Sequence, residues 1–155
     1  MSYLLFKWLH LMGVVLLVGN VSVTAVWKVF ADRTGDARVV AFGQRLVTIT
    51  DLSFTLAGIA LILIGGFGAA AAGHIHPFGQ RWLIWGELLF SLSGLIWVTI
   101  LVPAQFRQAR AARDFASGGD IPDAYRRDAR RWIMWGVVAT VPLVAAIWVM
   151  VVKPS

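Results

Sequence analysis

Four stretches of this chain are each long and apolar enough to cross a lipid bilayer, and that property excludes most of what 155 residues could otherwise build. They run roughly Tyr3 to Phe30, Leu46 to Ala72, Trp82 to Val102 and Trp132 to Val152. A helix needs about 20 apolar residues to span the hydrocarbon, where each backbone polar group must be bonded within its own segment. The expected fold is therefore all-α, an integral membrane four-helix bundle. With 59% hydrophobic residues, the chain carries more apolar surface than a water-soluble core of this size can cover. No repeat, low-complexity tract or linker divides it, so residues 1–155 read as one domain. Lys7 and His10 interrupt the first span and no basic leader precedes it, so it reads as a retained span rather than a cleaved signal.

Charge gives the orientation. Fourteen Lys and Arg stand against eight Asp and Glu, a net charge of +6 that in a soluble protein would suggest nucleic acid. Here the cations sit between apolar spans. The first connection, around Ala31 to Arg45, holds Arg33, Arg38 and Arg45 with Lys28 beside it, and the third holds Arg107, Arg110, Arg113, Arg126, Arg127, Arg130 and Arg131. The second, Gly73 to Gln80, is followed only by Arg81. By the positive-inside rule the first and third connections are cytoplasmic, so the N-terminus and C-terminus both lie outside the cytoplasm, in a bacterial inner membrane. The third connection reads as an extension of the third helix, a break at Ser117-Gly118-Gly119 and a new helix near Pro122, anchored at anionic headgroups.

Polar and small residues at helical spacing mark the inward faces. These are His10, Gly13, Leu17, Asn20 and Thr24 in the first span and Asp51, Thr55, Gly58, Ile62 and Gly65 in the second. The third offers Glu87, Ser91, Gly94 and Val98, and the fourth Trp132, Gly136, Ala139, Leu143 and Ala146. His10 lies about seven residues, hence about 10 Å, below the outer end of its helix, and Glu87 about five residues below its own. With His74 and His76 in the outer loop, these residues are expected to converge near the outer surface as candidate haem or metal ligands. The plainer readings are a His10 hydrogen bond to a neighbouring helix, solvated loop histidines, and a Glu87 paired with Arg81 or water. Asp51, near the cytoplasmic end, is expected to lock the bundle through Arg45, Lys28 or Arg131. Trp8, Trp27, Trp82, Trp132 and Trp148 fall where an interfacial aromatic belt would. Without cysteine, any metal must be held by His, carboxylate or backbone, and the four methionines show no paired spacing of the kind a copper route favours.

The opening Tyr3-Leu4-Leu5-Phe6-Lys7-Trp8-Leu9-His10-Leu11-Met12-Gly13, the Asp51 and Phe54 of the second span, and the ending Arg130-Arg131-Trp132 through Trp148-Val149-Met150-Val151-Val152-Lys153-Pro154 resemble a bacterial family of predicted integral membrane proteins of unknown function. More distantly, the opening is similar to the copper-resistance D-type membrane domain and to the haem-containing membrane protoporphyrinogen oxidases. The latter resemblance implies a haem-ligating role for His10. It does not extend to the third span, where those oxidases use a lysine and this chain has Glu87 within Trp82-Leu83-Ile84-Trp85-Gly86-Glu87.

Three functions fit these residues. The chain is an accessory or structural membrane subunit that docks a membrane protein partner or a second copy of itself; or it carries haem b on His10 for electron transfer; or it is a component of a metal or small-solute permease. No nucleophilic triad, phosphate-binding glycine loop or soluble catalytic domain favours an enzyme.

Overall fold

In the computed structural model, which describes residues 1–76 and 79–154, the chain forms four long helical rods and, among the described residues, no strand. The first rod is α1 (Ser2–Thr34). In the second, α2 (Ala37–Thr50) runs into α3 (Leu56–Ala72) through a π-helical turn at Asp51–Thr55. The third joins α4 (Arg81–Ile96) to α5 (Val102–Asp114) through a π-helical turn at Trp97–Leu101, and α6 (Asp123–Val152) is the fourth.

The rods are longer than the apolar stretches. At 1.5 Å per residue, the 33 residues of α1 reach about 50 Å, against a hydrocarbon core of about 30 Å. Since the arginines gather at the first and third connections, the overhang falls at that basic end. What reads in the sequence as a loop over Ala31 to Arg45 is almost wholly helix, broken only at Gly35 and Asp36. Gly35 closes α1 in the left-handed conformation, with φ 66°, and the Asp36 carboxylate caps α2 by accepting from the amides of Arg38 (2.8 Å) and Val39 (3.2 Å). The third connection follows the expected pattern, with α5 ending at Asp114, a break, and Pro122 at the N-cap of α6.

Prolines shape the third and fourth rods. Pro103 has no N–H for the Thr99 carbonyl, and the helix takes up the defect in the π turn just before it. Pro142 is buried within α6, where the Ser93 hydroxyl donates to the nearby Ala139 carbonyl at 2.8 Å.

Packing divides the bundle in two. Towards the terminal end the close backbone approaches are α1 against α3 and α4 against α6; towards the basic end α1, α2, α5 and α6 pack in sequence. The α1–α3 contact depends on glycine. A Cβ on Gly13 would lie 2.7 Å from the Ile62 nitrogen, and one on Gly58 would lie 3.0 Å from Leu17 Cβ. Leu17, Ile62 and Leu143, with Phe90 against them, form an apolar layer joining the two helix pairs. Outward, Leu5, Leu11, Val15, Val26 and Phe30 on α1 are exposed from the bundle, as are Leu63 and Ile64 on α3 and Val137, Val141 and Val144 on α6. In water such a surface would drive aggregation; in lipid it is the surface the fold requires.

Candidate functional site

The burial pattern confirms most of the inward faces. Gly13, Leu17 and Thr24 are buried on α1; Asp51, Thr55, Gly58, Ile62 and Gly65 in the second rod; Trp132, Ala139, Leu143 and Ala146 on α6. The third rod departs from it. Gly86, Ser93 and Leu101 are buried there, while Ser91 and Val98 are exposed and Glu87 is only half-buried. Choosing the face by Glu87 puts the stripe one residue out of register, because a carboxylate at the rim of a span need not point inward.

Midway along the rods a small polar layer ties three of them together. The Asn20 amide donates to Thr55 Oγ1 at 3.2 Å, the Thr55 hydroxyl donates to Asp51 Oδ1 at 2.7 Å, and the Trp97 indole N–H donates to Asp51 Oδ2 at 3.0 Å. Both carboxylate oxygens of this buried Asp51 are thus engaged by neutral donors. Among the described residues it makes no ion pair, so the expected lock through Arg45, Lys28 or Arg131 is replaced by hydroxyl and indole donors. Asp51 and Thr55 begin and end one π turn, and Trp97 begins the other.

Closer to the basic end lies a larger layer that the sequence reading missed. Lys28, 1% exposed, places its ammonium 3.0 Å from Asp32 Oδ2 and 2.9 Å from the Tyr125 hydroxyl. Tyr125 lies within 3.3 Å of Asp32 Oδ1 and 3.4 Å of Gln44 Oε1, and the buried Gln44 amide donates to Thr48 at 3.3 Å. Gln105 donates to the Val47 carbonyl at 3.3 Å and Gln108 to the Ala104 carbonyl at 3.3 Å. The Oε1 atoms of Gln105 and Gln108 and the indole nitrogens of Trp27 and Trp132 are buried without a hydrogen-bond partner. Trp27 and Trp132 pack in the interior with Val47 and Leu101 rather than at an interface. Trp8 and Trp148 are exposed as a belt requires, and Trp82 donates to Gln80 Oε1 while lying under the Lys153 ammonium, 5.0 Å from its ring centroid.

At the terminal end, His10 Nδ1 donates to the Ile62 carbonyl at 2.9 Å, the interhelical bond of its plainer reading. The bond puts a proton on Nδ1, Nε2 makes no hydrogen bond among the described residues, and Gly66 lies against the Nδ1–Cε1 edge of the ring. His74 is exposed in the left-handed region (φ 54°) just past α3, and His76 is exposed beyond it. The adjoining Pro77 of the Gly73 to Gln80 loop, like Phe78, lies outside the described residues. Glu87 makes no bond to Arg81 and no hydrogen bond or ion pair among the described residues. Nor do those residues contain any group of three His or carboxylate side chains close enough to hold a metal ion. The expected convergence of His10, His74, His76 and Glu87 is therefore not present as a ligand cluster.

In comparison with known proteins, a family model described as predicted integral membrane protein (DUF2269) matches residues 4–154. No curated protein and no solved structure matches, so neither distant likeness, to copper-resistance domains or to protoporphyrinogen oxidases, gains support.

Proposed function

This chain belongs to the DUF2269 family of predicted integral membrane proteins, and on that premise we propose that it is an accessory subunit of a bacterial inner membrane. In this reading residues 1–155 form one domain that docks a membrane protein partner or a second copy of the chain, with both termini outside the cytoplasm. One observation carries it: the central interior polar groups join one rod to the next, and the buried atoms left without a partner, on Gln105, Gln108, Trp27 and Trp132, are neutral amide oxygens and indole nitrogens. His10 and Asn20 bond from α1 to the second rod, Asp51 bonds to the third, and Lys28 bonds to the fourth. A transport or catalytic site needs such groups free to meet a substrate. The layer of Leu17, Ile62, Leu143 and Phe90, lying between the Asn20–Asp51 layer and His10, also weighs against a continuous permease path.

The test is extraction of tagged protein in mild detergent after crosslinking in the membrane. A stoichiometric companion or a discrete homo-oligomer is the expected result. A bare monomer under both conditions overturns the accessory reading.

Haem b remains the second reading because of a specific feature: His10 is held by its Nδ1, which leaves Nε2 without a hydrogen bond among the described residues. His10 fits one axial position, and His74 or His76 is the candidate for the other. A Soret band with redox-sensitive visible bands, lost in His10→Ala, would establish it. Colourless protein from haem-replete cells would remove it.

A further inference from the structure

Two open clefts flank the basic end, and they go beyond the accessory reading. One, of about 430 Å³, lies against α1 and α6 and is lined by Arg33, Arg126 and Arg130 together with Val29 and Ile133. The other, of about 580 Å³, lies between α2 and α5, lined by Arg38, Arg45 and Arg113 with Phe42 and Ile49. All six arginines are exposed, and among the described residues only Arg38 has a side-chain bond, to the Ser117 carbonyl at 3.3 Å. The first cleft also contains Asp32, whose carboxylate is already engaged by Lys28; no carboxylate lines the second. Each cleft thus gathers three uncompensated guanidiniums, groups whose forked donors suit phosphate oxygens.

Both clefts have the same profile along the rods. Val29 lies one turn deeper than Arg33, Ile133 nearly one turn deeper than Arg130, and Ile49 one turn deeper than Arg45, about 5 Å in each case. Cations at the boundary over an apolar wall continuous with the lipid-facing surface match a phospholipid, with phosphate at the rim and acyl chain below. A free anion would use only the upper part.

We propose that each cleft seats the phosphate headgroup of one anionic glycerophospholipid. The test reconstitutes the full chain in phosphatidylcholine nanodiscs containing phosphatidylglycerol and counts retained lipids by native mass spectrometry. Wild-type protein should retain two phosphatidylglycerol molecules in preference to phosphatidylcholine. Arg126→Gln with Arg130→Gln, and separately Arg38→Gln with Arg45→Gln, should each lose one, with affinity at that cleft falling roughly tenfold or more. Arg110→Gln with Arg127→Gln removes the same charge outside both clefts and should leave the count at two. Photoactivatable phosphatidylglycerol on wild-type protein should label peptides of α1 and α6 and of α2 and α5, which tests the sites without relying on any variant's folding. Equal loss in the Arg110/Arg127 control, equal retention of phosphatidylcholine, or labelling spread over all basic segments would overturn the proposal. So would inorganic phosphate giving the same thermal stabilisation as phosphatidylglycerol, which would make the clefts free-anion sites.

Discussion

The buried ammonium of Lys28 makes a prediction with an unusual asymmetry. Its side chain is 1% exposed, whereas Asp32 is 25% exposed, so the two partners of this pair are not equivalent. Asp32→Ala strands a cation in the interior with only the Tyr125 hydroxyl at 2.9 Å and the Tyr125 ring, 5.0 Å to its centroid, to receive it. Removing one partner of a buried pair costs about 3–5 kcal/mol, and that range is expected here because the stranded charge is the fully buried one. Lys28→Met keeps the packing of the stem, removes the ammonium and lets Asp32 hydrate through its exposed quarter, for a cost within about 1 kcal/mol. Combining them should return the protein close to Lys28→Met alone, a coupling of about 3–5 kcal/mol, so the second substitution rescues the first. Reversible unfolding in mixed detergent micelles, followed by tryptophan fluorescence, measures all four corners of the cycle. If Asp32→Ala costs under about 1 kcal/mol, or Lys28→Met fails to rescue it, Lys28 is compensated by something other than Asp32 and the layer has been misassigned.

Three further outcomes follow from the same interior. Asp51 accepts from Thr55 and Trp97, and the Trp97 N–H can only donate, so Asp51→Asn must turn its NH2 to Thr55, whose hydroxyl then has to reverse and accept, and should cost about 1–3 kcal/mol in the same unfolding assay; a neutral effect would mean the two bonds are not formed. Gly13→Ala should destabilise strongly because its Cβ would meet Ile62 backbone, whereas Gly19→Ala, with nothing within 4 Å, should change stability by no more than about 1 kcal/mol; equal effects would refute the α1–α3 contact. Reporter fusions after Lys153 and within residues 116–120 should mark opposite compartments, the first periplasmic, and both reporting the same compartment would refute the charge-based orientation.

The spans and three of the four inward faces are legible in the sequence because both depend on period and apolar length, which lipid enforces directly. Where the reading missed, the reason is local. On the third rod, Glu87 attracts a stripe its own side chain does not follow, and the buried residues Gly86 and Ser93 lie one position away from it. Position along a span assigns Trp27 to the interfacial belt, yet it is turned into the bundle; Trp132, which the period places inward and its position places in the belt, follows the period. Asp51 reads as a partner for a cation because basic residues gather at its end of the bundle, but a hydroxyl and an indole already engage its two oxygens.

Lys28 is the most informative case, because the signal was there. Gly13, Leu17, Thr24 and Lys28 form one buried stripe on α1, and Lys28 falls four residues after Thr24. Lys28 lies within the Tyr3 to Phe30 span, and grouping it with the charges of the adjoining connection passes over its period with Thr24. The rods run on for several turns past the hydrocarbon and stay packed there, so an overhang needs an interior of its own. At the level of the headgroups, hydrogen-bonding groups as well as apolar ones can fill it, which accounts for Lys28, Gln44, Tyr125, Gln105 and Gln108 lying buried there. The inward stripe of a membrane helix should therefore be followed until its period breaks rather than until its hydropathy falls. Applied to α2, the same rule extends the stripe back from Asp51 through Val47 and Gln44 to Val40, all of them buried.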